Sequence, residues 1–585
     1  MKLSLFALDY DGTIASNDVF DAGVRDAIGD VRRRGIAVVL VTGRRLPDLH
    51  RVAGDLTCFD AIVGENGGVL EFPSSGRHVR IGHPVNTAVA AELQRRGVDI
   101  ATGECVIETN ADAAPVVLDV VRRMEQPLIL AFNRGRLMVL PQAIAKSIGL
   151  RQALFALRLS IHNAIGIGDA ENDHDLLDAC EVGVAVAWGS AALKAVADEV
   201  IPGTGPAAVA EYVRRVSRQP RLSASQMGRR QLLLGHEHDG TPVSLAIRGR
   251  TILIAGEPGS GKSWVAGLLC EQLILQGYSV CIVDPEGDYR SLEALPGVVV
   301  LGGDDPPPRG RELARALRHP DVSVIIDLSK CAHHEKLEYI GTVLPLLVRL
   351  RRRTGLPHRV LLDEAHYFLS GAGDDLLDPE LAGYLLVTYR VSALPASIRD
   401  PRESVVIVTR ETDAVEVAAL RAACAECGAE ATPSAFSNLR TNEAALLPGA
   451  TESHGCLRRF ELAPRMTAHV RHQTKYLDMP VAEHLAFVFV DMDRPVGRAR
   501  TLKELMGLLA VLPVPVVEGH LRRHDFSQWI DRVFRDHPLA SFLRRIEDHL
   551  DADGAPQVAE KLTQAIRARY EASIDSDRRQ AVANS

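Results

Sequence analysis

The sequence lacks an excess of positive charge. Its 585 residues include 67 lysines and arginines against 75 aspartates and glutamates, which gives a formal net charge of -8. Proteins that bind nucleic acid over a wide surface usually carry a broad basic field. The balance therefore excludes a global attraction to DNA, and a local basic lining leaves DNA open as a partner.

Cysteines are few, scattered and odd in number. The nine cysteines do not suggest a disulfide framework and are typical of a reducing compartment. Cys424 and Cys427 form one Cys-x-x-Cys pair, with His454 and Cys456 downstream. One such pair leaves both zinc binding and free thiols open, and free thiols are favoured.

Long apolar runs are also missing. The apolar segment at residues 3–8 is interrupted by Asp9 and is too short for a signal peptide. Residues 506–517 are uncharged, but they include two prolines and are too short to cross a bilayer. We therefore expect a cytoplasmic protein with no membrane partner.

The length requires more than one hydrophobic core. Short apolar runs alternate with amphipathic helical stretches, a pattern typical of doubly wound α/β sheets. The predicted domains are 1–216, 217–445 and a small α+β domain at 446–550, followed by a polar tail at 551–585. Strands are predicted at 3–8, 37–41, 61–63, 164–167, 183–186, 251–255, 279–283, 298–301, 323–327, 360–362 and 404–408.

Two carboxylates follow the first predicted strand, in the stretch Asp9-Tyr10-Asp11-Gly12-Thr13. This places Asp9 and Asp11 at the carboxyl end of a strand, where α/β sheets form their sites. Carboxylates so close together are costly to bury without a shared cation. With Mg²⁺ cancelling the repulsion, one carboxylate can attack phosphorus and its neighbour can protonate the leaving oxygen.

Further groups suited to this chemistry occur later in the chain. The Thr42 hydroxyl and the Gly43 amide can hold phosphate oxygens, and Lys146 can neutralise the anions. Asp169 and Asp173, in the stretch 168–173, can supply carboxylates for Mg²⁺.

This ordered set resembles the haloacid dehalogenase (HAD) phosphatase superfamily, and the Gly-Glu-Asn-Gly-Gly segment at 64–68 resembles its Cof-like, IIB-type branch. The resemblance covers residues 1–216 and implies a Rossmann-like domain with a small α/β cap at about 82–140, acting on a phosphorylated substrate. It implies that Asp9 is the nucleophile that forms an aspartyl-phosphate and that Asp11 is the general acid/base. The other implied roles are phosphate binding by Thr42 and Lys146, and Mg²⁺ binding by Asp9, the Asp11 carbonyl and Asp169, with support from Asp173 and Asn172.

The cap is the part of such enzymes that recognises the substrate. Its short length is similar to that of phosphoglycolate-phosphatase-like enzymes, which makes phosphoglycolate one candidate substrate. Arg122, Arg123, Asn133 and Arg134 are candidate substrate contacts, and solvated charges on cap helices are the alternative interpretation.

A second phosphate-binding motif lies near the middle of the chain, between a predicted strand at 251–255 and a predicted helix at 264–273. This is the context of a Walker A loop that binds ATP, with Lys262 reaching the β- and γ-phosphates and the Ser263 hydroxyl binding Mg²⁺. The predicted nucleotide-binding residues are Gly256, Gly259, Ser260, Gly261, Lys262 and Ser263.

An apolar strand ending in Asp363 and Glu364 is predicted to be the Walker B partner of this loop. Asp363 should orient Mg²⁺, and Glu364 should polarise the attacking water. An acid at the second position indicates ATP hydrolysis rather than binding alone.

The stretches at 283–289 and 234–240 resemble the HerA-like branch of RecA-like P-loop ATPases, whose members include hexameric DNA translocases. The resemblance covers about 230–440 and implies a homo-oligomer, most simply a hexamer. The chain departs from the family where a strand after Walker B usually ends in Gln, because Tyr389 stands there. Arg390, Arg399 and Arg410 are candidates for an arginine finger across a subunit interface, with surface charges as the alternative.

The third region is rich in histidine, but its potential metal ligands are spread out along the chain. Leu485, Phe487 and Phe489 alternate with other residues, which indicates a strand, and helices are predicted at 502–512 and 557–572. A binding or assembly module is the favoured interpretation. The histidines and their charged neighbours are His469, His472, Lys475, His484, His520, Arg522, Arg523 and Asp525.

Taken together, these motifs predict a bifunctional Mg²⁺-dependent phosphatase and ATPase. In one version the ATPase is a ring that handles DNA. In a second, the phosphatase is metabolic and the ATPase is an assembly or regulatory platform. A polynucleotide kinase-phosphatase is the third version, and the hydrolytic character of the Asp363-Glu364 pair disfavours it.

Overall fold

The computed structural model describes residues 2–133, 135–219, 230–247, 251–369, 376–449, 456–467, 481, 486–491, 494–534 and 537–570. Strands and helices alternate through the first two thirds of the chain, which confirms the predicted α/β class. Within the described residues, no helix combines the length and apolar character needed to span a membrane.

The first part of the chain forms a core sheet and a smaller cap sheet. Its strands are β1 (Leu5–Asp9), β2 (Ala15–Ser16), β3 (Val19–Phe20), β4 (Ala37–Val41), β5 (Ala61–Gly64), β6 (Val69–Phe72), β7 (Arg77–Arg80), β8 (Ala101–Thr102), β9 (Ile107–Asn110), β10 (Leu128–Asn133), β11 (Arg136–Pro141), β12 (Ala164–Gly168), β13 (Val182–Val186) and β14 (Glu199–Ile201). Its helices are α1 (Ala22–Arg33), α2 (Leu46–Ala53), α3 (Thr87–Arg95), α4 (Ala114–Arg123), α5 (Lys146–Leu157), α6 (His174–Ala179), α7 (Ala191–Val196) and α8 (Gly205–Ser217).

The core sheet has eight strands in the order β14-β13-β12-β1-β4-β5-β6-β7. β1 is parallel to both of its neighbours, and every residue of this strand is buried, as expected for a strand covered by helices on both faces. The cap sheet has the order β10-β11-β9-β8, and α3 and α4 cover its outer face through an apolar cluster that includes Val117, Leu137 and Val139.

The second part forms an eleven-stranded sheet in the order β16-β15-β25-β24-β23-β17-β22-β21-β18-β20-β19. Its strands are β15 (Gln231–His236), β16 (Pro242–Ala246), β17 (Thr251–Ala255), β18 (Val280–Asp284), β19 (Val298–Gly302), β20 (Ser323–Asp327), β21 (Arg359–Leu362), β22 (Tyr384–Thr388), β23 (Ser404–Val408), β24 (Glu443–Leu446) and β25 (Arg458–Leu462). Its helices are α9 (Lys262–Leu275), α10 (Gly310–Ala316), α11 (His333–Thr354), α12 (His366–Leu369), α13 (Ala396–Arg399), α14 (Ala414–Glu426) and α15 (Ser434–Ser437).

This second sheet continues past the predicted domain limit at residue 445. β25 lies at 458–462 and pairs antiparallel with both β24 and β15, so it joins the two ends of the region. In β25, whose sequence is Arg-Arg-Phe-Glu-Leu, only Phe460 is buried. The strand therefore has no apolar run from which it could be predicted.

The last part is a module of one hairpin and several helices, called the carboxy-terminal module from here on. The predicted strand is present, paired with a second one, and the last helix is buried in the module core through Val558, Leu562 and Ile566 instead of lying in a separate polar tail. The elements are β26 (Phe487–Asp491), β27 (Arg494–Ala499), α16 (Leu502–Val511), α17 (Val514–Arg522), α18 (Asp525–Trp529), α19 (His537–Glu547), α20 (Leu550–Asp553) and α21 (Ala555–Tyr570).

The first two sheets meet at their amino-terminal edges. The His162 ring, just before β12, stacks on the Tyr278 ring, just before β18, with centroids 3.8 Å apart. The Tyr278 hydroxyl donates to Glu181 Oε2 at 2.7 Å, and Lys2 Nζ donates to the Arg352 carbonyl at the end of α11 at 2.9 Å. Because this contact uses the amino edges, the carboxyl edges of the two sheets face away from each other.

Candidate functional site

The first candidate site lies at the carboxyl edge of the core sheet. β1 lies between β12 and β4, so the residues that end or follow these strands converge there. They are Asp9 at the end of β1, Thr42 after β4 and Asp169 after β12, and all three are buried.

Lys146 is the central cation of this site. It begins α5 with a fully buried side chain, and its Nζ donates to Asp9 Oδ1 at 2.6 Å and to Asp173 Oδ1 at 2.5 Å. Burial alone would lower the pKa of Lys146, but the charges of Asp173 and Asp9 outweigh it and raise this pKa. The ammonium therefore stays charged beside the proposed nucleophile.

Asp173 is held in a fixed orientation by backbone groups. Its Oδ2 accepts hydrogen bonds from the Asp169 amide at 3.0 Å and from the Ala170 amide at 3.1 Å. Gly168 makes room for it, because a Cβ on this residue would lie 2.5 Å from the Asp173 carboxyl carbon.

The carboxylates of Asp9, Asp169 and Asp173 each offer an oxygen, and these oxygens lie within 4.8 Å of one another. Three carboxylates share a small buried space with one ammonium, an arrangement that a divalent cation stabilises. Burial, followed by the charge of Asp173, raises the pKa of Asp9. The donor set thus fits Mg²⁺.

Asp11 is turned away from this cluster and towards Arg44. Arg44 donates from Nε to Asp11 Oδ2 at 2.7 Å and from Nη2 to Asp11 Oδ1 at 2.6 Å, and it also contacts Asp18. The pairing holds the carboxylate of the predicted acid/base at the edge of the site. The sequence alone assigns no role to Arg44.

The inner face of the cap sheet closes over this edge. The Met138 sulfur would lie 3.2 Å from a Cβ placed on Gly43. Glu108, opposite Met138 in the sheet, pairs with Arg136 at 3.0 Å and lies 3.8 Å from Arg45 of the core. These three charged residues line the space between core and cap, and sequence reasoning missed them.

The structure places the four candidate substrate contacts of the cap in different positions. Arg122 and Arg123 are exposed near the end of α4, on the outer side of the cap sheet and away from Asp9, so the structure contradicts that role for them. Asn133 is paired with Arg136 across the β10–β11 hairpin, and Arg134 lies outside the described residues.

The second candidate site is the loop between β17 and α9. Gly256, Gly259 and Gly261 have φ angles of 149°, 75° and 104°, values that favour glycine. At Gly256 a Cβ would also lie 2.1 Å from Thr409 Oγ1. The Ser260 hydroxyl ties the loop to β23 by a 2.6 Å bond to the Thr409 hydroxyl, and Lys262 Nζ donates to the Glu257 carbonyl at 2.9 Å.

The acids predicted for this site are placed beside the loop. Asp363 and Glu364 follow β21 and are both buried, and β22 separates their strand from β17. Ser263 Oγ donates to Asp288 Oδ2 at 3.1 Å. The Asp288 carboxylate is therefore a further group at the predicted Mg²⁺ position of the nucleotide site.

Asp284 explains why Asp288 is there. Its carboxylate accepts backbone hydrogen bonds from residues 286–289 at 2.8 to 3.2 Å and so folds the chain into a tight turn at the end of β18. Burial, with the charge of Asp288 next, raises the pKa of Asp284 to about 7. The sequence marks the stretch 283–289 by its family resemblance, but it does not show that Asp284 folds the turn or that Asp288 contacts Ser263.

The candidate arginines have separate positions. Arg410 follows β23 and pairs with Glu257 of the predicted P-loop in the same chain, Nε to Oε1 at 2.5 Å. Arg390 lies over the Tyr389 ring at 5.4 Å, and Arg399 ends α13.

The proposed zinc site gains no support. All nine cysteines are described and none of them forms a disulfide, while His454 falls outside the described residues. Within the described part of the chain, the one grouping of side chains that suits a metal is Asp9, Asp169 and Asp173. His469, His472, Lys475 and His484 also lie outside the described residues.

Family models match both regions. Residues 6–91 and 111–213 match the haloacid dehalogenase-like hydrolases, and residues 233–345 match the central domain of helicase HerA. These matches confirm the two resemblances, each for its own part of the chain.

Known proteins similar to the first region bear the name phosphoglycolate phosphatase. The protein from Natronomonas pharaonis is 29% identical over 204 residues, covering 33% of this chain and 89% of its own length. The one from Methanothermobacter thermautotrophicus is 26% identical over 220 residues, covering 36% and 96%. A solved haloacid dehalogenase-like hydrolase from Bacteroides thetaiotaomicron is 18% identical with a TM-score of 0.32, covering 37% of this chain and all of its own.

Proposed function

We propose that this chain, which joins a haloacid dehalogenase-like hydrolase domain to a HerA-like P-loop domain, hydrolyses phosphomonoesters at one site and ATP at another. The observation that carries the proposal is the buried set of Asp9, Lys146, Asp169 and Asp173, in which three carboxylates share a small space with one ammonium. Such a set has a clear use in phosphoryl transfer and costs stability otherwise.

In the proposed reaction, an Asp9 carboxylate oxygen attacks the substrate phosphorus and the alcohol of the ester leaves. Lys146 and the Thr42 hydroxyl hold the phosphoryl oxygens. Asp11 donates a proton to the leaving oxygen and then removes one from the water that hydrolyses the aspartyl-phosphate. Bound Mg²⁺, held by Asp9 and Asp169 with support from Asp173, would offset the negative charges that meet in this step.

Asp11 can do this only after changing its partner. Its carboxylate is paired with Arg44 in the structure, so Arg44 must release it, or share it, when a substrate enters. Arg44 thereby becomes a positioning residue for the acid/base, and its own side chain can help to neutralise an anionic substrate.

The substrate we propose is a small phosphomonoester. The cap is short, and its inner face brings Glu108 and Arg136 over the core, with Arg45 facing them. The names of the relatives make phosphoglycolate the first compound to test.

The test is a panel of phosphomonoesters that includes an aryl phosphate and phosphoglycolate, assayed with Mg²⁺ and with EDTA. We expect hydrolysis with Mg²⁺ and a loss of at least about 100-fold with EDTA, restored by added Mg²⁺. Equal rates with and without the chelator would contradict the metal assignment. No hydrolysis of any compound would contradict the phosphatase function.

At the second site, Lys262 and Ser263 would hold the phosphates and Mg²⁺ of ATP, and Glu364 would orient the attacking water. A labelled-ATP assay with a DNA 5′-hydroxyl end separates this from kinase activity. Release of free phosphate is the result expected, whereas transfer of label to DNA would instead indicate a polynucleotide kinase.

We further propose that the ATPase works as a homo-oligomer, most simply a closed hexamer. HerA-like sites are completed by an arginine from a neighbouring subunit, and this chain has a single Walker A motif. Arg390 or Arg399 could serve across such an interface, whereas Arg410 is already paired with Glu257.

ATPase activity per chain is therefore expected to rise with protein concentration, in step with a hexamer mass measured by light scattering. A monomer that keeps full ATPase activity at low concentration would contradict the ring. Any binding of DNA by that ring should weaken steeply with salt, because the contacts must come from a local basic lining.

A further inference from the structure

The residue after β22 occupies the middle of the nucleotide site. β22 pairs on one side with β17, which leads into the P-loop, and on the other with β21, which leads into Asp363 and Glu364. Residues that follow neighbouring parallel strands meet at one edge of the sheet. Tyr389 follows β22 directly and so lies between the phosphate-binding loop and the two acids.

The contacts of Tyr389 reach both sides. Lys262 Nζ lies 5.9 Å from the centre of its ring, within the range of a cation–π interaction. On the other side the His366 ring meets the Tyr389 ring edge-on with centroids 4.3 Å apart. His366 Nδ1 in turn lies 3.7 Å from Glu364 Oε2. The His366 side chain therefore connects Tyr389 to Glu364, the acid proposed to orient the attacking water.

The Tyr389 hydroxyl is held by a second tyrosine. It lies 2.8 Å from the Tyr367 hydroxyl, so one of the two phenols donates a hydrogen bond to the other. The hydroxyl proton of the accepting phenol must then point elsewhere. His366, between these two tyrosines in space, is fixed by a 3.0 Å hydrogen bond between its Nδ1 and Thr388 Oγ1. The arrangement is a small, ordered polar network beside Glu364.

The carboxy-terminal module covers this network. Tyr367 and Tyr389 both pack against its apolar core, the cluster that includes Phe489, Leu505 and Phe526. The module therefore fixes where the two rings sit, and a shift of the module would move the hydroxyl pair relative to Lys262 and Glu364.

We propose that the Tyr367–Tyr389 hydroxyl pair positions Lys262 and Glu364 for ATP hydrolysis, and that the carboxy-terminal module holds the pair in place. The inference rests on the proposed ATPase function. Both tyrosines are positioning residues, since they act through the lysine and, by way of His366, through the acid. This gives the module a role in the nucleotide site.

The test compares Tyr389→Phe and Tyr367→Phe with a matched control, Tyr384→Phe. Tyr384 begins the same strand, is buried, and accepts a hydrogen bond from the Asp378 amide at the opposite end. We expect Tyr389→Phe to lower kcat by about tenfold or more, with the Kd of a fluorescent ATP analogue within about threefold of wild type. Tyr384→Phe should keep kcat within about twofold.

The double variant and the module give further readouts. If the hydroxyls act as one pair, Tyr367→Phe combined with Tyr389→Phe should lose no more kcat than the stronger single variant. Nucleotide binding should also change hydrogen exchange in α16 of the wild-type protein, and this change should shrink in the double variant.

Several results would overturn the inference. Equal losses of kcat in Tyr389→Phe and Tyr384→Phe would show a general packing effect, and unchanged exchange in α16 on nucleotide binding would remove the module from the account. A wild-type protein that hydrolyses no ATP would instead contradict the proposed function itself.

Discussion

Replacing Asp9 with asparagine is expected to abolish phosphomonoester hydrolysis, with a loss on the order of 10³-fold or more. The amide keeps the shape of the side chain but cannot act as a nucleophile. Asp169 and Asp173 lie elsewhere in the site, so neither can replace Asp9 at the end of β1. The measurement is the rate of aryl phosphate hydrolysis with saturating Mg²⁺. The same protein preparation should keep its ATPase activity, which serves as an internal control for folding.

A matched variant sharpens this result. Asp30→Asn changes a half-exposed acid of α1 in the same domain, and it should leave hydrolysis unchanged. If Asp9→Asn retained nearly the wild-type turnover, the assignment of the nucleophile would be wrong.

Lys262→Ala is expected to lower the rate of ATP hydrolysis at least about 100-fold, because this lysine is the cation predicted to meet the β- and γ-phosphates. Phosphomonoester hydrolysis should stay within about twofold of wild type, since the variant leaves the other site's binding and chemistry unchanged. The physical reason is the contact between the two sheets. They meet at their amino edges through His162, Tyr278 and Glu181, so the carboxyl edges that hold the two proposed sites face away from each other.

The control is Lys330→Ala, at an exposed lysine of the same domain, which should keep both activities. A folded Lys262→Ala protein that lost phosphatase activity as well would show obligate coupling through this contact.

Strand ends and their motifs are the features that the sequence predicts best. Asp9 ends a short buried strand, and Thr42, Asp169 and the P-loop each follow one. A strand bounded by a polar motif can be recognised locally. Lys146 begins a helix and follows no strand, so it was the order of motifs in the resembling family that predicted its place beside Asp9.

Side-chain partners could not be predicted in the same way. The pairing of Arg44 with Asp11, and of Arg45 and Arg136 with Glu108, depends on how core and cap approach each other, which has no local pattern. The sequence predicts that Arg122 lies near the end of a helix. It does not show which face of the cap sheet this helix covers, and so it cannot show whether Arg122 lies near the substrate.

The contact between the two sheets could not be predicted from the sequence either. His162, Glu181 and Tyr278 lie far apart in the sequence and belong to no motif, and only the folded chain brings them together. Burial lowers the pKa of His162, which keeps this histidine neutral where the domains meet. A histidine of this kind looks like any other in the sequence.

The central claim is that one chain carries two independent hydrolytic sites. The most direct test measures phosphomonoester and ATP hydrolysis side by side in the wild-type protein, Asp9→Asn and Lys262→Ala. We expect the wild type to have both activities, Asp9→Asn to lose only phosphomonoester hydrolysis and Lys262→Ala to lose only ATP hydrolysis. Loss of both activities in either folded variant, or retention of both in either, would contradict it.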